Sequence, residues 1–242
     1  MSIQSPHVSS ETAIIRPAPL REQAQAIIRE AIVSGEIGPE SIYSATALAK
    51  QLGISVSPVR EAMMALVNEG VLEPVRNRGF RLVPRTEEEL DELADIRRLL
   101  EVPAIIRLAA VDVADLRAPA EAEMAEARRA AEDGRIRDFL IHERRVHELF
   151  LIRGGGERLA KLALGLRDQE RLGAVAELPP EALVGMVDEL ERVLAAAEAG
   201  DTDLVRAEIS SHLDHVRADL AETRREPEGA RLEPLIEPLG ET

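Results

Sequence analysis

The stretch GISVSPVREAMMALVNEGVLEPVRNRGFRLV, residues 53–83, decides how the first part of this chain is read. Ser55 or Ser57 can cap a helix, and Pro58 suits its first turn. Val59, Ala62, Met63, Leu66 and Val67 recur at helical spacing as a buried stripe, and Gly70 ends the helix. Val71-Leu72-Glu73-Pro74-Val75 and Gly79-Phe80-Arg81-Leu82-Val83 then alternate like two strands around a basic tip, Arg76-Asn77-Arg78. Upstream, Ala45 to Leu52 reads as a short helix stopped by Gly53. Leu20, Ala24, Ile27, Ile28, Ala31 and Ile32 mark an earlier helix ended by Gly35. Two helices joined by a tight glycine turn, then a hairpin with a basic tip, predict a winged helix-turn-helix. Its third helix is expected in the major groove with Ser55, Ser57 and Arg60 at its N-terminus. Arg76 and Arg78 are expected on phosphates or in the minor groove.

Composition bounds the rest. The chain has 242 residues, no cysteine and no tryptophan, a formal net charge of -15, and 2% aromatic residues. Two domains of ordinary size fit that length. The missing cysteine excludes a disulfide scaffold and a thiolate metal site, and fits a reducing compartment such as the cytoplasm. No apolar run reaches the roughly eighteen residues of a membrane span, and the first residues lack the pattern of a secretory signal. Residues 1–85 hold nine Lys/Arg and eight Asp/Glu, a net of +1; residues 86–242 hold 21 and 37, a net of -16. The acidity therefore belongs to the second part, and a DNA contact is electrostatically reasonable only for the first.

Thr86 with Glu89 three residues later forms a capping-box signature, which places a boundary near residue 84. Helical patterns follow near 86–110 (kinked or broken at Pro103), 119–133, 135–153, 156–173, 180–199 and 201–224. Their short connections imply an antiparallel bundle. The expected organisation is a disordered 1–16, a winged helix-turn-helix over 17–84, a helical effector and dimerisation domain over 85–224, and a flexible tail over 225–242, where Pro227, Pro234 and Pro238 interrupt any helix.

With these motifs in place, residues 17–84 resemble the DNA-binding domain of the GntR superfamily of bacterial regulators. The segment GISVSPVREAM followed by EGVLE and RGF carries the resemblance. It implies DNA contacts from Ser44, Thr46, Ser55, Ser57, Arg60, Arg76, Arg78 and Gly79. Two arginines usual in that family are replaced here, by Thr46 in the second helix and by Val56 after the turn; Arg60 is kept. The second part resembles the FCD effector domain of the FadR subfamily, through Ile96-Arg97-Arg98-Leu99-Leu100-Glu101, Glu143…His147-Glu148-Leu149 and Ala195…Gly200-Asp201…His212-Leu213. In that subfamily a carboxylate, a histidine four residues on and two later histidines hold a divalent metal. Here they correspond to Glu143, His147, Leu190 in place of the middle histidine, and His212.

Periodicity tests which of these side chains point inward. Glu143 and His147 fall on the stripe Ile136, Phe139, Leu140, Val146, Phe150. His212 falls on Val205, Ile209, Leu213, Val216, Leu220, and Leu190 on Val184, Val187, Leu194. A carboxylate and two imidazoles facing an apolar interior need partners. A metal supplies them, with Zn, Ni or Mn suited to these ligands, and so do mutual hydrogen bonds. Arg97 lies on a stripe with Leu93, Ile96, Leu100 and Ala104. Its planar fork suits an effector carboxylate, or a structural ion pair to Glu101 or Glu143. Arg60 has its own alternative, a surface pair with Glu61 or Glu69.

Three motifs carry no chemistry. In His142-Glu143-Arg144-Arg145-Val146-His147 the second histidine comes one residue too late for a zinc-protease pair. Gly154-Gly155-Gly156 lacks the strand and the Lys of a phosphate loop and reads as an interhelical loop. Glu87-Glu88-Glu89 is a solvated helix start. The expected function is a homodimeric regulator that binds operator DNA and senses a small carboxylate effector, with no membrane partner. Two alternatives stay open: a metal-dependent enzyme on the bundle, and a regulator whose DNA or metal site has drifted.

Overall fold

The computed structural model describes residues 19–38, 41–171 and 178–225. The expectations for 1–16 and for the tail beyond 225 lie outside the described residues. The N-terminal part runs α1 (Leu20–Val33), α2 (Ala45–Leu52), α3 (Val56–Asn68), β1 (Leu72–Val75) and β2 (Gly79–Leu82). The remainder is helical: α4 (Glu87–Ile106), a 3-10 turn (Arg107–Ala110), α5 (Ala114–Glu132), α6 (Ile136–Gly155), α7 (Glu157–Glu170), α8 (Pro180–Glu198) and α9 (Thr202–Arg225).

In the first unit, Ser44 caps α2, its hydroxyl accepting from the backbone of Thr46 and Ala47, and Gly53 closes that helix in the left-handed region at φ 66°. The β1–β2 hairpin pairs Leu72 with Leu82 and Val75 with Gly79, and Phe80 also bridges to Tyr43. Gly79 is required at that crossing. A Cβ there would stand 2.3 Å from the Tyr43 carbonyl oxygen, and its φ is +139°. Ala24, Ile28, Ile32, Leu48, Val59, Met63, Leu66 and Phe80 form the core. Leu20 and Ile27, expected on the buried stripe of α1, are exposed instead. The core takes only the face that carries Ala24, Ile28, Ala31 and Ile32.

The bundle has its own core around Phe139 and Phe150, both fully buried, each contributing about 2–3 kcal/mol of transfer free energy. The capping box forms as the sequence suggests: Glu89 N–H donates to Thr86 Oγ1 at 3.2 Å, and Thr86 N–H donates to Glu89 at 2.9 Å. Three expectations need correction. Helix α4 continues through Pro103, whose ring lies on the exposed side where the Leu99 carbonyl that loses its donor can reach water. Helix α5 begins at Ala114, ahead of Pro119, because buried Leu116 and Ala120 anchor the earlier turn. Gly154 and Gly155 belong to α6 rather than to a loop. Gly154 lets α6 press on α4, since a Cβ there would meet the Ala104 carbonyl oxygen at 2.0 Å.

The two units touch along α1, α6 and α7. Arg29 of α1 pairs with Glu69 at the end of α3 and, at 3.3 Å, with Asp168 of α7. Arg85, between β2 and α4, donates to the Gly70 carbonyl at 2.6 Å and to Gln169 of α7 at 2.8 Å. Arg137 of α6 pairs with Glu30 at 3.3 Å.

Candidate functional sites

The residues expected to meet DNA stand at the start of α2, at the start of α3 and on the hairpin tip. Thr46, Ser55, Ser57, Arg60, Arg76 and Arg78 are exposed, and Ser44 and Gly79 are half-buried. Ser55 takes the N-cap position of α3 without a side-chain cap bond, and the Ser57 hydroxyl donates to Glu61 at 3.1 Å. Glu69 is taken by Arg29. Among the described residues no ion pair forms to Arg60, Arg76 or Arg78, so the surface pairing considered for Arg60 is not made. Asn77, in the left-handed region at φ 60°, turns the wing tip and sets Arg76 and Arg78 on either side of it. The roles of Ser44 and Gly79 are first architectural, a helix cap and a backbone crossing.

The interior of the bundle gathers the second set. Glu143, His147 and His212 are fully buried, and one ligand atom from each lies within 4.8 Å of the others. His147 Nε2 is 3.2 Å from His212 Nε2 and 3.2 Å from Glu143 Oε1. His212 Nδ1 lies 2.9 Å from Glu189 Oε2, and His147 Nδ1 lies 3.4 Å from Glu101 Oε2. Burial pushes both imidazoles below their ordinary value, His212 to about 4, with the Glu189 hydrogen bond pulling the other way. At neutral pH they are uncharged ligands.

The proton count decides whether a divalent ion fits. With its single proton on Nδ1, His212 donates N–H to Glu189 Oε2, which leaves an Nε2 lone pair facing inward. If His147 keeps its single proton on Nε2, its Nδ1 lone pair confronts the Glu101 carboxylate; both of those atoms lack an aligned partner among the described residues. A bound cation would remove the conflict. His147 then donates Nδ1–H to Glu101 as His212 does to Glu189, two imidazoles each backed by a carboxylate. The donor set therefore fits a divalent ion, which Glu143, His147 and His212 would hold. Leu190, fully buried, stands where a fourth ligand is usual, and Glu143 is shared with other cations.

Those cations were not foreseen. Arg171 donates from Nη1 and Nη2 to the two oxygens of Glu143 at 3.2 and 3.0 Å, and Arg167 pairs with the same carboxylate. Arg97 is inward as expected. It donates to Glu101 at 2.7 Å and pairs with Glu170, not with Glu143. Burial alone raises the Glu101 carboxyl, yet Arg97 and His147 hold it well below the usual carboxylate range. Burial, then the Arg97 guanidinium, brings Arg171 down to about 10. Arg97 Nη2 and Arg171 Nε have no hydrogen-bond partner among the described residues. The signal for α7 was present in its period: Ala160, Ala163 and Leu164 lead at helical spacing to Arg167 and Arg171. His142 faces α5 and pairs with Glu123 at 2.6 Å, on a different side of α6 from His147.

A winged helix-turn-helix joined to an α-helical domain is the construction of a transcription regulator. The chain matches the bacterial regulatory proteins of the gntR family over residues 20–82 and the FCD domain over residues 92–215, and it belongs to that family. It is 34% identical over 90 residues to the uncharacterized HTH-type transcriptional regulator YdhC of Bacillus subtilis, covering 37% of this chain and 40% of that one. It is 35% identical over 89 residues to the gluconate operon transcriptional repressor of the same organism, covering 37% of this chain and 36% of that one. These alignments span well under half of each relative. Among solved structures, Escherichia coli McbR/YncC has the same fold, with a TM-score of 0.78 over 86% of this chain and 100% of the other at 21% identity. A GntR regulator from Rhodococcus sp. gives 0.68 over 84% and 97% at 18% identity. The matched domains are those of transcription regulators, not of enzymes. No helix among the described residues is long and apolar enough to cross a membrane.

Proposed function

We propose that this chain binds a two-fold symmetric operator as a cytoplasmic homodimer, and that its interior cluster senses a small organic acid. Residues 17–84 read the DNA; residues 85–224 bind effector and partner. The observation that carries DNA contact is the exposure of Arg60, Arg76 and Arg78 without compensating carboxylates, in a chain of net charge -15. Uncompensated guanidiniums displace counterions from phosphates, and an arginine at the start of α3 can grip a guanine edge in two-pronged fashion. With Thr46 and Val56 in place of two arginines usual in the family, Arg60 carries that base contact alone.

For the effector, Arg97, His147 and His212 supply the recognising groups. The free Nη2 of Arg97 is an orphaned buried donor, and an acid group satisfies it. An ion at Glu143, His147 and His212 adds a positive centre that attracts the same acid. Binding there acts on α7, which also contacts α1, so the effector changes how the DNA-reading units are held. The test is anisotropy with fragments selected from the source genome. Arg60→Ala should weaken specific binding about tenfold or more at unchanged melting temperature; undiminished affinity refutes the assignment.

A further inference from the structure

Where α1 meets α6 and α7 the structure holds a cleft of about 190 Å³, whose lining includes none of Glu143, His147 and His212 but adjoins them through Arg167. Five arginines line it: Arg29 from α1, Arg137, Arg144 and Arg145 from α6, and Arg167 from α7. Three carboxylates join them on the wall, Glu30, Glu148 and Asp168, while Glu69, Glu123 and Glu143 reach Arg29, Arg145 and Arg167 from outside it, Arg145 at 3.6 Å. Its floor is apolar, with Leu140 and Val33 buried. Arg167 is fully buried, and its Nε and Nη1 have no partner among the described residues. Burial of a guanidinium with orphaned N–H groups beside a cleft is costly unless an acceptor comes to it.

We propose that this interdomain cleft is a second ligand site, for a compact oxyanion carrying two negative charges. Its donors are Arg29, Arg144, Arg145 and Arg167, and its apolar floor accepts a short carbon body. The site also has a mechanical consequence. Asp168 now engages both Arg29, at 3.3 Å, and Arg144, at 3.2 Å. A bound dianion competes with Asp168 for both guanidiniums and so takes over the link between α7 and α1. The binding itself does not depend on the DNA reading proposed above; only its effect on operator affinity does.

Isothermal titration of the full chain with succinate and, separately, with inorganic phosphate tests the proposal and tells a carboxylate ligand from a phosphate one. At least one probe should bind, should still bind His147→Gln/His212→Gln, and should weaken about tenfold or more with Arg144→Gln/Arg145→Gln. Ala26→Trp fills the cleft from α1 without changing charge and should abolish the same binding event, which guards against a folding defect in the arginine variant. No measurable binding of either probe overturns the proposal. So does binding that vanishes with the histidines and survives both cleft variants.

Discussion

Asp168 and Arg167, neighbours on α7, both border the cleft beside α1 but take their ion-pair partners from different units. The carboxylate reaches Arg29 of the winged unit at 3.3 Å, and the guanidinium pairs with Glu143 in the bundle interior. Gln169 and Glu170 repeat the division, one meeting Arg85 at the linker and the other Arg97 inside. A single helical turn thus touches both the interior cluster and the DNA-reading unit. A change in the interior that rotates or shifts α7 must alter the second set of contacts.

Breaking that link should loosen α1 without dissolving the bundle. Asp168 is buried while Arg29 keeps partial solvent, so Asp168→Asn should cost about 1–3 kcal/mol. Hydrogen exchange should speed up in α1 and at the end of α3 while α5 and α8 stay protected. Uniform acceleration across the whole chain contradicts the link.

The interior cluster makes a prediction about metal. Leu190→His restores an imidazole at the position where the family resemblance puts a fourth ligand, one residue from Glu189. Zinc affinity, followed by competition with a chromogenic chelator, should rise about tenfold or more. His147→Ala/His212→Ala should remove any co-purifying divalent ion, as read by elemental analysis. Identical zinc affinity in the parent, Leu190→His and double-alanine proteins rules out an ion at this cluster.

Glu189 positions His212 rather than touching a ligand. Glu189→Gln keeps the shape but weakens the acceptor of His212 Nδ1–H, and such partners are worth about 10–100-fold in metal affinity. The expected signature is weaker zinc binding with an unchanged number of sites. Loss of stability in Glu189→Ala but not in Glu189→Gln, with zinc affinity unchanged in Glu189→Gln, would point to packing instead.

The wing depends on Gly79. Gly79→Ala introduces a Cβ 2.3 Å from the Tyr43 carbonyl oxygen at a positive φ. It should destabilise the N-terminal unit by about 1–3 kcal/mol. Chemical denaturation that separates the two units should show the loss in the first transition alone; an unchanged midpoint contradicts the close approach.

The winged unit was legible because each boundary has a local cause: Gly53 and Gly70 stop helices, and strands of period two flank Arg76-Asn77-Arg78. In the bundle, apolar stripes on α6 and α9 were enough to place Glu143, His147 and His212 inward. What escaped was charge burying charge. Arg167, Asp168, Glu170 and Arg171 were not singled out, because periodicity weighs apolar side chains and cannot see that Glu143 and Arg97 wait on neighbouring helices. Glu189 escaped for a related reason: it sits beside Leu190, off the apolar stripe, and only the approach of α9 gives it His212 as a partner. Pro103 and Pro119 misplaced a helix break and a helix start, since both lie on exposed faces inside continuous helices.

The most direct measurement is a salt titration of the full chain on an operator selected from the source genome, set against a shuffled duplex of equal length. The expected result is a specificity ratio on the order of a thousandfold or more at physiological salt, changed when a small dicarboxylate is added. Equal affinity for the two duplexes at every salt concentration contradicts operator reading by α3 and the wing.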